Sequence, residues 1–212
     1  MVQVFGFGHS VTYGFWDKEG GWIQRLRKYL DERALEEQDE ELVSDVYNLG
    51  VSGEDSGDLL ERFEAEFEAR AWEESDQVIL VQIGANDIQF LKEQQEIRVS
   101  EDDYRRNIRE LLDTAEDLAD EVLVISDFYI SIEGEIPYAP EKKVSDERLE
   151  NYMSIQKQVC QKKNVSHIDI RDEFKPGKAK EMLEDGLHPN SDGHERIFEI
   201  VRERLEKEGI IR

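Results

Sequence analysis

Five short runs dominated by Val, Ile and Leu set the limits on what this chain can fold into: Val2 to Phe7, Val43 to Leu49, Gln77 to Ile83, Glu121 to Ser126 and Val165 to Ile170. Each has the length of a strand, and apolar residues that do not strictly alternate with polar ones imply strands covered on both faces. Between them the apolar spacing changes to three and four residues. Trp22, Ile23, Leu26, Tyr29 and Leu30 form one such stripe, Leu59, Leu60, Phe63, Phe67 and Ala71 a second, and Tyr104, Ile108, Leu111, Leu112, Ala115 and Leu118 a third. Helices with one buried face give that period. Two more are expected, from Asp146 to Lys163 and from Ser191 to Glu208. Strands joined by helical connections predict a parallel sheet with helices on both sides, a three-layer α/β/α sandwich. A length of 212 residues with no Ser/Gly-rich linker predicts a single domain over 1–212.

Two connections break the rhythm, Ile88 to Val99 and Tyr129 to Lys143, and both leave the C-terminal ends of their strands. Ligands bind at that edge of an open parallel sheet. Tyr129, Ile130, Ile132, Pro137 and Tyr138 are therefore candidate walls of a partly apolar pocket, with an ordinary surface excursion as the alternative.

Charge excludes some functions. The 51 Asp and Glu outnumber the 27 Lys and Arg, for a net charge of -24. A nucleic-acid or anionic-membrane binder needs clustered cations, so neither partner is expected. The acids fall on outward helix faces, in Asp31 to Glu41, Glu61 to Glu74 and Glu101 to Asp120, which suggests an acidic shell suited to high salt, although lysine is not scarce. No apolar stretch has the roughly 20 residues of a membrane span, and no basic leader precedes an apolar run, so a cytoplasmic protein is expected. Cys160 has no intramolecular disulfide partner and reads as a buried thiol.

The first run ends in Gly6-Phe7-Gly8-His9-Ser10-Val11-Thr12-Tyr13-Gly14. It lacks the third glycine of a dinucleotide fingerprint, the Gly-Lys-Ser/Thr of a P-loop and the second glycine of a nucleophile elbow. What remains is a serine at a strand end between glycines. A serine attacks a carbonyl only with a base to take its proton and a third group to hold that base. Asp185-Gly186-Leu187-His188-Pro189-Asn190 offers both, since a spacing of three in a turn lets the carboxylate reach the imidazole. Asn48-Leu49-Gly50-Val51-Ser52-Gly53 and Gly84-Ala85-Asn86-Asp87 follow the second and third runs. The N–H groups of Ser10 and Gly50 and the Asn86 amide would make a three-donor oxyanion cradle. Taken separately, Gly50 is a strand-end glycine, Asn86 a helix N-cap and His188 a turn histidine. A metal site at Asp185, His188, Asp192 and His194 is disfavoured, because Asp192 and His194 read as the first turn of a helix, and His167 reads as structural.

In this order the four blocks resemble the SGNH, or GDSL-type, hydrolase family over essentially the whole chain. The resemblance implies a flavodoxin-like five-stranded parallel sheet of order 2-1-3-4-5, no cofactor or metal, and hydrolysis of small to medium carboxylic esters through an acyl-serine. It assigns Ser10 as nucleophile, His188 as general base and acid, Asp185 as its orienting partner, and Ser10, Gly50 and Asn86 as the oxyanion hole. A carbohydrate O-deacetylase and a non-catalytic binding module of the same fold are the alternatives. One position departs from the pattern: the family has Asp before the nucleophile, and this chain has His9. Three consequences are open: a tolerated replacement that hydrogen-bonds the surrounding loops differently, altered pH dependence, or weakened catalysis.

Overall fold

The apolar runs pair in parallel through one sheet. The computed structural model describes residues 1–39, 42–175 and 177–212. The chain runs through β1 (Val2–Gly8), α1 (Ser10–Tyr13), α2 (Gly21–Glu37), β2 (Ser44–Gly50), α3 (Ser56–Glu68), β3 (Asp76–Gln82), β4 (Phe90–Leu91), β5 (Glu96–Ile97) and α4 (Glu101–Leu118). It continues with β6 (Glu121–Ile125), β7 (Gly134–Ile136), β8 (Ala139–Val144), α5 (Asp146–Lys163), β9 (Ser166–Ile168), α6 (Ala179–Met182) and α7 (Ser191–Lys207). The main sheet has the order β2-β1-β3-β6-β9. Counted among its own members, that is 2-1-3-4-5, the expected topology.

Alternation along β1 shows how the two faces are built. Phe5 and Phe7 point into a core shared with Leu59, Phe63 and Phe67 of α3, Tyr104 to Ala115 of α4, and Leu149 to Cys160 of α5. Val4 points the other way, into Trp22, Ile23 and Leu26 of α2 and Ile197, Val201 and Leu205 of α7. Gly6 shares that second face, where a Cβ would stand 2.1 Å from Ile23 Cδ1, so the strand can approach α2 only without a side chain there. Phe63 packs on Phe7 with ring centroids 4.4 Å apart, and deleting such a buried ring costs about 3–5 kcal/mol. Helix starts are fixed by polar caps. Asp55 and Asp58 form a reciprocal capping box on α3, Ser100 caps α4 and Asn190 caps α7.

The two excursions do not remain loops. Residues Ile88 to Val99 supply β4 and β5, Tyr129 to Lys143 supply β7 and most of β8, and together they form an antiparallel sheet of order β5-β4-β8-β7. Phe90 pairs with Lys143 and Leu91 with Lys142, so the segments after β3 and β6 are hydrogen-bonded to each other beside the C-terminal edge of the main sheet.

Among the described residues no helix is long and apolar enough to cross a membrane. Of the acidic stretches, Asp31, Glu36, Glu61, Glu64, Glu101 and Asp113 are exposed, whereas Glu40 and Glu41 lie outside the described residues. Cys160 is a buried free thiol, pushed up to about 12 by burial.

Candidate active site

Ser10 stands where β1 gives way to α1. Val51 N–H bonds the Gly8 carbonyl at 2.9 Å, and a Cβ on Gly8 would come within 2.2 Å of the Gln82 carbonyl oxygen, so Gly8 lets β1, β2 and β3 converge under the serine. Opening a helix, the Ser10 N–H belongs to the donors that have no intrahelical acceptor.

The partner residues arrive from the turn before α7. Asp185 Oδ1 accepts from the N–H groups of Leu187 at 3.0 Å and His188 at 2.7 Å, while Gly186 turns the chain at φ 81°. Its Oδ2 lies 2.8 Å from His188 Nδ1, and His188 Nε2 lies 3.1 Å from Ser10 Oγ. Carboxylate, imidazole and hydroxyl thus form one continuous chain. Burial works against the Asp185 charge, but the bonds from His188 and the backbone outweigh it and hold the carboxyl well below the usual range. With Nδ1–H directed at Asp185, Nε2 can accept the serine proton. The His188 ring also packs against Phe15, centroids 4.8 Å apart.

Across the cleft, Asn86 sits in a turn rather than at the helix N-cap that its position also allowed. Its amide is held at both ends. Nδ2 donates to the Glu54 carbonyl at 2.8 Å, and Oδ1 accepts from Gln89 Nε2 at 2.7 Å. Glu54 is fixed in turn by Arg62, which grips its carboxylate and the Leu49 carbonyl, each at 2.7 Å. Ser10 and Asn86 line one cleft with His188. Gly50 does not line it. A Cβ there would meet Tyr13 N at 2.2 Å, and the Gly50 N–H donates to Asn48 Oδ1 at 3.0 Å, so this cradle donor is engaged within its own loop.

Residues 7–196 match the model of the GDSL-like lipase/acylhydrolase family. The chain belongs to that family. Its reaction class is therefore ester hydrolysis. The uncharacterized protein YpmR of Bacillus subtilis is 23% identical over 99% of this chain and 83% of its own length. Among solved structures, a lipase/acylhydrolase from Enterococcus faecalis superposes with a TM-score of 0.74 at 21% identity, covering 98% of this chain and 97% of its own. A variant of the acetyl xylan esterase Axe2 from Geobacillus stearothermophilus superposes at 0.70 and 22%, covering 99% and 95%. At these identities the structural likeness is one of fold.

His9, where this acylhydrolase departs from its family, is built into the floor of the site. It is 1% exposed, its Nε2 meets Asp127 Oδ1 at 3.0 Å, and its Nδ1 accepts the Val11 N–H at 3.3 Å, which caps α1. In the neutral ring that cap leaves Nδ1 bare and places the proton on Nε2, toward Asp127. Burial disfavours a charge on His9, yet the facing Asp127 carboxylate, with Asp87 and Glu54 farther off, raises its pKa above the ordinary value. Asp127 Oδ2 also accepts the Ala85 N–H at 2.8 Å. The floor therefore ties the serine loop to the residue before Asn86. Asp87, fully buried beside it, is pushed up to about 7 by burial, although it accepts from Ser56 N and Oγ at the start of α3. Asp127 and Gln89 escape sequence reading. Only the place of Asp127, just after a strand at the functional edge, could have marked it.

The cleft walls are Val11, Phe128, Ile130, Leu149 and Leu187. Of the five pocket candidates, Ile130 lines it and the other four stand elsewhere, Pro137 exposed in the turn between β7 and β8. Tyr129 packs into the core beneath α2 and α7, Ile132 lies against Gly186, and Tyr138 is exposed at the rim. In the segment that follows β6, Phe128 and Ile130 line the cleft and Tyr129 does not. Among the described residues, no lysine or arginine lines the cleft. His194, fully buried, lies 3.1 Å from the Phe15 carbonyl through Nε2, and His167 bonds Gln156 at 3.3 Å. Among the described residues no three His, Cys, Asp or Glu side chains are grouped to hold a metal ion.

Proposed function

We propose that this acylhydrolase is a serine esterase for carboxylic esters with short acyl groups. The hydrogen-bonded chain from Ser10 through His188 to Asp185 carries the reading. Ser10 Oγ attacks the carbonyl carbon as His188 Nε2 takes its proton, and Asp185 holds the ring in the required tautomer and stabilises the imidazolium. The oxyanion is received by the Ser10 N–H and the Asn86 amide, and the Gly50 N–H becomes a third donor only if the Asn48 side chain releases it and the substrate reaches beyond the cleft walls. The C–O bond breaks, the alcohol leaves with the proton from His188, and the acyl group stays on Ser10. Water then gives its proton to His188 and attacks the acyl carbon, the bond to Ser10 Oγ breaks, Ser10 takes the proton back from His188, and the acid is released. Every proton and charge has a place on these residues, so the reaction needs no metal, and activity should survive chelation by EDTA.

Acyl length follows from the cleft. Val11, Phe128, Ile130, Leu149 and Leu187 close in on the serine and leave a narrow, mostly apolar cleft, which favours acetyl over longer chains. The expected order is acetate over butyrate over octanoate for p-nitrophenyl esters. The test of the reaction is Ser10→Ala, which should abolish turnover, together with a fluorophosphonate probe, which should label the wild type at Ser10 alone. Unchanged turnover in Ser10→Ala overturns the reading, and a folded wild type that neither turns over ester nor takes up the probe makes the chain a binding module.

A further inference from the structure

Trp16 lies in the segment that joins α1 to α2, and nothing in the reaction above uses it. Its backbone adopts φ 70°, a left-handed conformation that a bulky side chain enters only under constraint. The constraint is visible on both sides. Phe15 N–H bonds the Ser10 carbonyl at 3.0 Å and the Phe15 ring packs on His188. Asp17 accepts from Arg25 Nε at 3.0 Å, Ser191 Oγ at 2.8 Å and Gly21 N–H at 2.9 Å. A ring carried by so fixed a segment would be buried if it served only to pack. Instead Trp16 is 45% exposed. Its one polar group is spent on the site: indole Nε1 donates to Asp185 Oδ2 at 3.1 Å, the same oxygen that faces His188.

A second exposed ring stands beside it. Tyr138, in the turn between β7 and β8, is 72% exposed, and its centroid lies 6.3 Å from that of Trp16. Neither ring lines the short-acyl cleft, so together they form a separate aromatic face next to Asp185 and His188. The adjoining carboxylate disfavours an anionic guest.

We propose that Trp16, with Tyr138, forms the alcohol side of the substrate site, stacking on an uncharged ring of the leaving alcohol while the indole N–H steadies Asp185. The guest presents either an aryl ring or the apolar face of a pyranose. This rests on the esterase reading above and adds the class of alcohol to it.

Three acetates with primary alcohols test it: ethyl acetate, benzyl acetate and methyl 6-O-acetylglucopyranoside. For Trp16→Ala and Tyr138→Ala, KM for a ring-bearing ester should rise relative to KM for ethyl acetate by about threefold to tenfold, the range of one aromatic contact. A rise for benzyl acetate alone identifies an aryl guest, and a rise for the glucoside alone identifies a sugar. Trp16→Phe should keep the KM pattern and lower kcat on all three, because it keeps a ring and loses the donor to Asp185. Tyr138, an exposed turn residue, carries the stacking test even where Trp16→Ala lowers the melting temperature. Unmoved KM ratios in both alanine variants overturn the stacking role, and an unchanged kcat in Trp16→Phe overturns the positioning role. Hydrolysis of none of the three by the wild type defeats the esterase reading itself, whereas hydrolysis with unmoved ratios defeats only the aromatic subsite.

Discussion

Restoring the family residue in front of the nucleophile, by His9→Asp, should damage this protein. A carboxylate at position 9 can still accept the Val11 N–H, so the cap on α1 survives and the loss isolates the pair with Asp127. His9 and Asp127 are 1% and 2% exposed and meet at 3.0 Å. The substitution replaces a buried donor by a second carboxyl facing the first, with Asp87 a third in the same floor. Two such groups cannot both ionise cheaply. Leaving a buried charge without its partner costs about 3–5 kcal/mol, which for a chain of this size lowers the melting temperature by about 6–20 °C. Because Asp127 also holds the Ala85 N–H, turnover of p-nitrophenyl acetate should fall as well. The cycle of His9→Asp, Asp127→His and the double variant, followed by circular dichroism melting and acetate hydrolysis, measures the coupling. Reversing the pair in the double variant should recover at least half of the lost stability. A single His9→Asp protein as stable as the wild type, or one that gains activity by orders of magnitude, would refute the reasoning.

Gln89→Leu removes the donor that fixes Asn86 Oδ1, so the amide can flip. On acetyl esters kcat should drop by about tenfold or more with KM little changed, short of the 10²–10³ expected for losing an oxyanion donor outright, and an unchanged kcat would show that Glu54 alone suffices. Asp87 gives a pH signature. Its folded pKa, about 7, lies above the unfolded value of 3.8, so the folded state binds the extra proton and this group's contribution to stability declines as pH rises from about 4 to about 7. Urea midpoints in Asp87→Asn should show a shallower decline over that window than the wild type. For the shell, self-repulsion at a net charge of -24 predicts that melting temperature and activity rise from low to molar salt, and a protein equally stable and active without salt would end the high-salt reading.

Legibility in the sequence followed range. The α5 boundaries, Asp146 to Lys163, are the predicted ones, because an apolar stripe of five turns overrides local ambiguity. The main strands begin and end within two residues of expectation for the same reason. The four strands of the second sheet went unseen: they have two to six residues, carry Glu96, Glu141, Lys142 and Lys143, and exist only because β4 finds β8 some 50 positions away. The site divides likewise. Ser10, Asp185 and His188 announce themselves through local spacing, and the fold brings them within hydrogen-bonding distance. Asp127, Gln89 and Trp16 have no local pattern, since each acts through a partner distant in the chain or through an amide that only the folded turn orients. Tyr129 and Ile130 are joint candidates because sequence cannot say which of two neighbours lines the cleft and which enters the core.

Pairing of β4 with β8 also bears on how such a protein can change. The segments after β3 and β6 share one hydrogen-bonded seam, so transplanting either from a relative would strip the other of its register. Recombination of specificity in this scaffold should succeed only when both segments travel together, as a single exchangeable cassette.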